Sequence, residues 1–332
     1  MYGTAAATSL ENIPPESISM MSGLFLPGYN LGYIFAIIFY RAFQYTHGGE
    51  GWRSLCWFTA GPAALLAIWR LCFPEGEYFS KLKEKREFEK LNAVGRWNDA
   101  KVAIANYWVV FVYLIFLMSG MNFMSHGTMD LYPTLLVTQA KLGTDAKTVV
   151  MVVSNLGAIA GGLIFGQLSE ILGRRLCISV CCLLGGAFVY PAFLGANENT
   201  LMAGSTLLMA AVFGAWGQIT IHLFELSPPR YRTLAAGLAY QLGNLASSAS
   251  ATIEATIGAR FPIGDKPGVY NYGLVMCIFS GAVFGYVLIV IFLGPERFHR
   301  DLYEQVRTDD EKIYTLDDEK AETHHIDSVG RV

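Results

Sequence analysis

Apolar runs of about 20 residues, broken by short polar clusters, recur along the chain from residue 20 to residue 293. That length carries a helix across the hydrocarbon of a bilayer. Eight stretches qualify: 20–45, 53–73, 106–137, 149–168, 176–195, 201–224, 233–257 and 270–293. The pattern therefore predicts an all-α polytopic membrane protein. The longest polar interruption, residues 74–105 with "KLKEKREFEK", divides residues 1–73 from a six-helix unit at 106–293. Residues 294–332, with "TDDEK" and "LDDEK", carry mixed charge and few aromatics and read as a disordered tail. The opening "MYGTAAATSL" lacks the basic start and long apolar core of a signal peptide and reads as the end of a helix.

Composition agrees: 53% of residues are hydrophobic and 15% charged, with the charge segregated into loops and tail. There is no basic face for nucleic acid. Neither a nucleophile with its base nor a phosphate-cradling loop is found, which argues against an enzyme and against a cofactor. Cys56, Cys72, Cys177, Cys181, Cys182 and Cys277 lie in or beside apolar segments without ligand or disulfide spacing, as packing residues do. The adjacent His324 and His325 in the tail do not make a metal site.

Basic residues set the expected orientation. The 74–105 loop, Arg174 with Arg175, and Arg230 with Arg232 fall in loops of one parity, which the positive-inside rule makes cytoplasmic, along with the tail.

Two stretches repeat a helix end, a glutamate and paired prolines: Glu11 with Pro14 and Pro15, and Glu225 with Pro228 and Pro229. Two copies imply two related halves. The second copy closes the sixth complete span, so a duplicated six-helix unit would put the first at the end of a fourth helix. Three helices and most of a fourth are then expected to be missing before Met1, leaving helices 5 and 6 of the first bundle and helices 7–12 of the second.

"GQLSEILGRR", residues 166–175, joins two spans with Gly166, Glu170, Gly173, Arg174 and Arg175. An acid at one helix end beside arginines at the next can form an ion pair that breaks as helices rock, and the glycines allow the tight turn. The stretch resembles the inter-helix signature of the major facilitator superfamily, with Glu170 in place of the more usual aspartate. "GWRSLCW" at 51–57 and "FPEGEYF", with Pro74 and Glu75, extend the resemblance.

In "NFMSHGTMDLYPT", Asn122, His126, Asp130 and Thr134 recur every four residues, along one helix stripe with Ser125 beside it. A histidine and an aspartate are costly in hydrocarbon and are expected to face the bundle interior or a water-filled path. Ser125 and Thr134 taken alone read as interhelical hydrogen bonders, worth about 1 kcal/mol each. The spacing N-x-x-[S/T]-H-x-[S/T]-Q-D-x-x-x-T is similar to that of the fungal monocarboxylate:proton symporters, the lactate and pyruvate permeases of the same superfamily. Asn122, Ser125, His126, Thr128, Asp130 and Thr134 match, and Met129 replaces the glutamine. "AAGLAYQLGNLASSASATIEATIGARFPIG" also resembles this family, whose substrate-recognising glutamine falls at Gln241. The resemblance runs from residue 2 to about residue 300.

The resemblance implies a plasma-membrane transporter of small monocarboxylates carried with protons, working by alternating access between two bundles. Its partners would be the carboxylate, protons and the bilayer. Asn122, Ser125, His126 and Gln241 would bind substrate, His126 and Asp130 would couple the proton, and Thr128 and Thr134 would support the stripe. Gly166, Glu170, Gly173, Arg174 and Arg175 would form the gating loop. Met129 bears on substrate choice, and the expected lack of the first helices implies that this chain alone is inactive. The rival readings are a carrier of sialic acid, a dicarboxylate or a sugar, and a non-transporting membrane fragment. Glu254 reads as a lip residue, His222 and Glu225 as parts of the loop signature, and the pairs Gly28/Gly32 and Gly281/Gly285 as close helix contacts.

Overall fold

The computed structural model describes residues 3, 5–6, 13, 17–46, 51–72, 93–227, 232–263 and 270–296, without the side chains of 93–100 and 102–104. Glu11, Pro14, Pro15, Pro74, Glu75, Pro228, Pro229, Arg230, both tail histidines and the tail beyond residue 296 lie outside the described residues.

The described chain is helical: α1 Ile18–Phe25, α2 Gly28–Phe43, α3 Gly51–Leu71, α4 Ala93–Met129, α5 Tyr132–Thr138, α6 Thr144–Leu172, α7 Arg174–Leu194, α8 Glu198–Leu226, α9 Arg232–Ser247, α10 Ser250–Gly258 and α11 Tyr272–Leu293. The one extended feature among the described residues is an isolated bridge between Pro262 and Tyr270. Seven helical segments, with α1 and α2 counted as one, are long and apolar enough to cross a membrane.

Three spans are broken, each for a local reason. Pro27 caps α2 and separates it from α1. Pro133 cannot donate to the Met129 carbonyl and its ring would crowd that oxygen, so α4 stops at Met129 and α5 restarts with the proline in its first turn. The span expected at 233–257 divides between α9 and α10 at Ser248–Ala249. There the Ser247 and Ser248 hydroxyls bond back to the Asn244 and Leu245 carbonyls, in competition with the helical ladder. The helix that carries the polar stripe begins at Ala93, inside the stretch read from sequence as the central loop, and bends at Tyr107 (φ −122°, ψ 20°).

The centre of the bundle is α8, whose most apolar window is 89% buried against 50% or less in the other spans. It packs chiefly on α6 and α7. Around these, α9 lies on α4, α11 on α7 and α4, and α1 and α2 on α6. Helix α3 touches α2 and is otherwise exposed, as are Ile164, Leu183 and Phe292 on the outer faces. In a bilayer these side chains meet hydrocarbon, which an amphipathic soluble bundle would not permit.

Glycine brings α1, α6 and α8 together. A Cβ added at Gly23 would sit 2.7 Å from the Gly162 carbonyl oxygen, and one at Gly217 would sit 2.6 Å from the same atom. Ser22 Oγ donates to the Gly217 carbonyl at 2.7 Å beside this crossing. The glycines expected to make close contacts, Gly28, Gly32, Gly281 and Gly285, instead have open space around an added Cβ, because they lie on faces that no neighbouring helix covers closely.

Candidate functional site

The polar stripe of α4 opens onto a cavity of about 430 Å³. One turn separates His126 from Asp130, so the imidazole reaches the carboxylate: Nδ1 lies 3.0 Å from Oδ2 and 3.3 Å from Oδ1. Both side chains are 40% exposed, so the pair is reachable from the cavity. Asn122, one turn earlier, also lines it and donates one amide hydrogen to the Met118 carbonyl at 2.8 Å. Ser125 lines it too and accepts a 2.5 Å hydrogen bond from Trp216 Nε1 on α8, which fixes an indole face in the wall.

Not every stripe residue joins them. Thr128 is buried and bonds back to the Met124 and Ser125 carbonyls, on the side of a small pocket of about 20 Å³. Thr134 lies beyond the Asp130–Leu131 break, on α5, and is not part of the cavity wall, because the four-residue period ends where the helix does. Met129, at the position of the family's glutamine, lines both spaces, as does Tyr33.

Gln241 is exposed and outside the cavity wall. The small residues Ala236, Ala239 and Gly243 seat α9 against its neighbours, with Gly243 pressed on Met118 and Asn122. That rotation turns Tyr240 and Asn244 into the cavity and Gln241 away from it. The rest of the wall is aromatic. Tyr29 and Tyr33 stack with ring centres 6.2 Å apart, and Trp216 meets Tyr240 edge-on at 6.3 Å. None of these aromatics carried a sequence signal, because a tyrosine or tryptophan in an apolar span looks the same whether it faces lipid or a cavity.

A second polar cluster sits at the other end of α6. Gly173 has φ +85°, a conformation that glycine takes without strain, and it turns the chain from α6 into α7. Arg174 follows, 3% exposed, and its guanidinium collects four partners: Glu225 Oε1 at 3.3 Å, Glu170 Oε2 at 3.0 Å, Ser169 Oγ at 2.7 Å and Ser19 Oγ at 3.3 Å. Ser19 also donates to Glu170. Four helices, α1, α6, α7 and α8, therefore meet at one cation. Arg175 turns outward and donates to the Ile291 and Phe292 carbonyls at 2.9 and 2.8 Å, satisfying the C-terminal end of α11. Gly166 packs against Gly23 and Ser19 beneath the cluster. The role of Ser19 and Ser169 was not legible in the sequence. His222, one turn before Glu225, is fully buried and its ring nitrogens have no hydrogen-bond partner among the described residues. No three His, Cys, Asp or Glu side chains among the described residues are grouped to hold a metal ion.

Apolar spans packed about a half-exposed His–Asp pair, with a buried ionic cluster at one end, define a multi-pass membrane protein with a polar interior site. The Major Facilitator Superfamily matches residues 1–251, and the chain belongs to that superfamily. It is 43% identical over 324 residues to the "Carboxylic acid transporter protein homolog" of Saccharomyces cerevisiae (strain ATCC 204508 / S288c), covering 92% of this chain and 52% of the yeast protein. It is 24% identical over 266 residues to "Sialic acid transporter NanX" of Escherichia coli (strain K12), covering 79% of this chain and 62% of the bacterial protein. The chain thus spans only part of the length of these relatives, about half in the yeast case.

Proposed function

We propose that the cavity binds a small monocarboxylate and that its passage is coupled to a proton carried by His126 and Asp130. The observation that supports this most is that pair in the cavity wall, 3.0 Å apart and both within reach of solvent. An aspartate beside a neutral imidazole carries one negative charge and repels a carboxylate. One proton neutralises the pair and a second makes it positive, so proton uptake favours anion entry. Asn122 keeps a second amide hydrogen for a carboxylate oxygen, and Asn244 on the facing helix supplies another amide. The likeness to the yeast carboxylic acid transporter homolog points to the same substrate class.

On this reading the Arg174 cluster is the closed gate of one face, its ionic contacts breaking as the helices rock. That face would be cytoplasmic, with the 74–105 loop and the tail, and the protein would reside in the plasma membrane. A second reading is favoured by the aromatic wall of Tyr29, Tyr33, Trp216 and Tyr240, which offers stacking faces to a sugar ring. The match to the bacterial sialic acid transporter agrees with it.

Because the chain alone is expected to be inactive, the test is uptake of labelled lactate and pyruvate into vesicles containing the chain joined to the part of the yeast relative that it does not match, under an inward proton gradient, with sialic acid and glucose as competitors. Saturable accumulation that disappears with the gradient and resists both competitors is expected. Strong competition by sialic acid would favour the second reading, and no accumulation under any gradient would remove transport by these residues.

A further inference from the structure

Helix α10 carries a glutamate for which the proposed transport has no use. Glu254 is 0% exposed, and neither carboxylate oxygen has a hydrogen-bond partner among the described residues. Ser250, one turn earlier on the same face, is 1% exposed, and its hydroxyl also lacks a partner. The residue is thus no lip group, as the sequence suggested; the break at Ser248–Ala249 seats α10 inward, against α4 and α11.

Among the described residues, the groups around Glu254 offer no compensating cation. From α4 the charged neighbour is Asp130, an acid, with His126 already bonded to it. From the α11 side come Tyr270, whose ring covers Gly258, and Tyr272. Helix α11 has no charged residue, and α10 has none besides Glu254. Arg260 lies beyond the end of α10. An ionised carboxylate in such a place lacks water and, among the described residues, a counter-charge, and proteins resolve that by neutralising the group.

We infer that Glu254, buried outside the cavity wall but within electrostatic reach of Asp130, is a second proton-binding carboxyl, holding its proton at neutral pH in this conformation. The protonation stands independently of transport, whereas its use rests on the reading above. A neutral Glu254 leaves Asp130 as the one carboxylate near an arriving anion; an ionised one would double the negative charge there.

Infrared difference spectra of the chain in lipid vesicles, unaltered minus Glu254→Gln, test the protonation without any substrate. At neutral pH the expected difference is a protonated-carboxyl band that shifts in D2O and vanishes at strongly alkaline pH. A difference in the ionised-carboxylate region instead would overturn the inference. Should the glutamine variant fail to insert, Glu254→Asp keeps the carboxyl and must displace the same band; an unmoved band is equally fatal. A transport arm adds the role. In the joined protein of the uptake test, uptake should fall less steeply at alkaline pH in Glu254→Gln than with Glu254 in place, the His126–Asp130 pair keeping the remainder of the fall, and identical profiles would remove the role while leaving the protonation intact.

Discussion

The molecule holds two acid–base constellations in different environments. At the cavity, His126 and Asp130 are both 40% exposed and face each other with few other partners. At the turn into α7, Arg174 and Glu225 are each 3% exposed and share the site with Glu170, Ser169 and Ser19. A buried pair is held by its desolvation: once out of water, either charge alone is unaffordable, so the cluster locks four helices together. A half-exposed pair contributes little to stability. The difference shows how burial alone separates a multiply bonded cluster that joins four helices from a pair open to the cavity.

The comparison breaks most sharply at Arg174. Arg174→Met should cost about 3–5 kcal/mol, because Glu225 then stays buried without that guanidinium. Thermal unfolding in detergent checks this, and adding Glu225→Gln to the same chain should recover a large part of the loss. Asp130→Asn should do the reverse: a stability change of about 1 kcal/mol or less, yet loss of the pH dependence of uptake. Unaltered proton-driven accumulation in that variant would sink the coupling role.

Smaller effects sharpen the map of the cavity. Asn244→Ala should weaken carboxylate uptake about tenfold or more, the worth of roughly 1.5–3 kcal/mol for a hydrogen bond to a charged group. Gln241→Ala should change it little, since the side chain is exposed and outside the wall. Kinetics normalised to surface protein would reverse the assignment if the two results were exchanged. The smallest effect is expected at the Arg41–Asp145 pair, 2.6 Å apart but with an 81% exposed aspartate. Asp145→Asn should leave the unfolding midpoint unmoved within error, especially at high salt.

Periodicity explains what could be read in advance. Apolar runs of bilayer length gave the all-helical membrane fold, and the helical repeat aligned Asn122, His126 and Asp130, because both depend only on local spacing. Thr134 left the stripe because Pro133 ended the helix, a local signal that the period overrode. The aromatic wall and the rotation that favours Asn244 over Gln241 depend on which face each helix buries, which tertiary packing decides. Glu170 and Arg174 were legible as neighbours across a glycine turn. Glu225 joined them from 51 positions beyond Arg174 in sequence, and no spacing rule reaches that far.

The glycine crossing of α1 on α6 also lies between the two polar regions. Gly23 packs on Gly162 and Gly166, Ser19 lies four residues to one side at the Arg174 cluster, and Tyr33 lies ten residues to the other side in the cavity wall, beyond the break at Pro27. The two helices thus span both polar regions while packed on α6 on each side of that break.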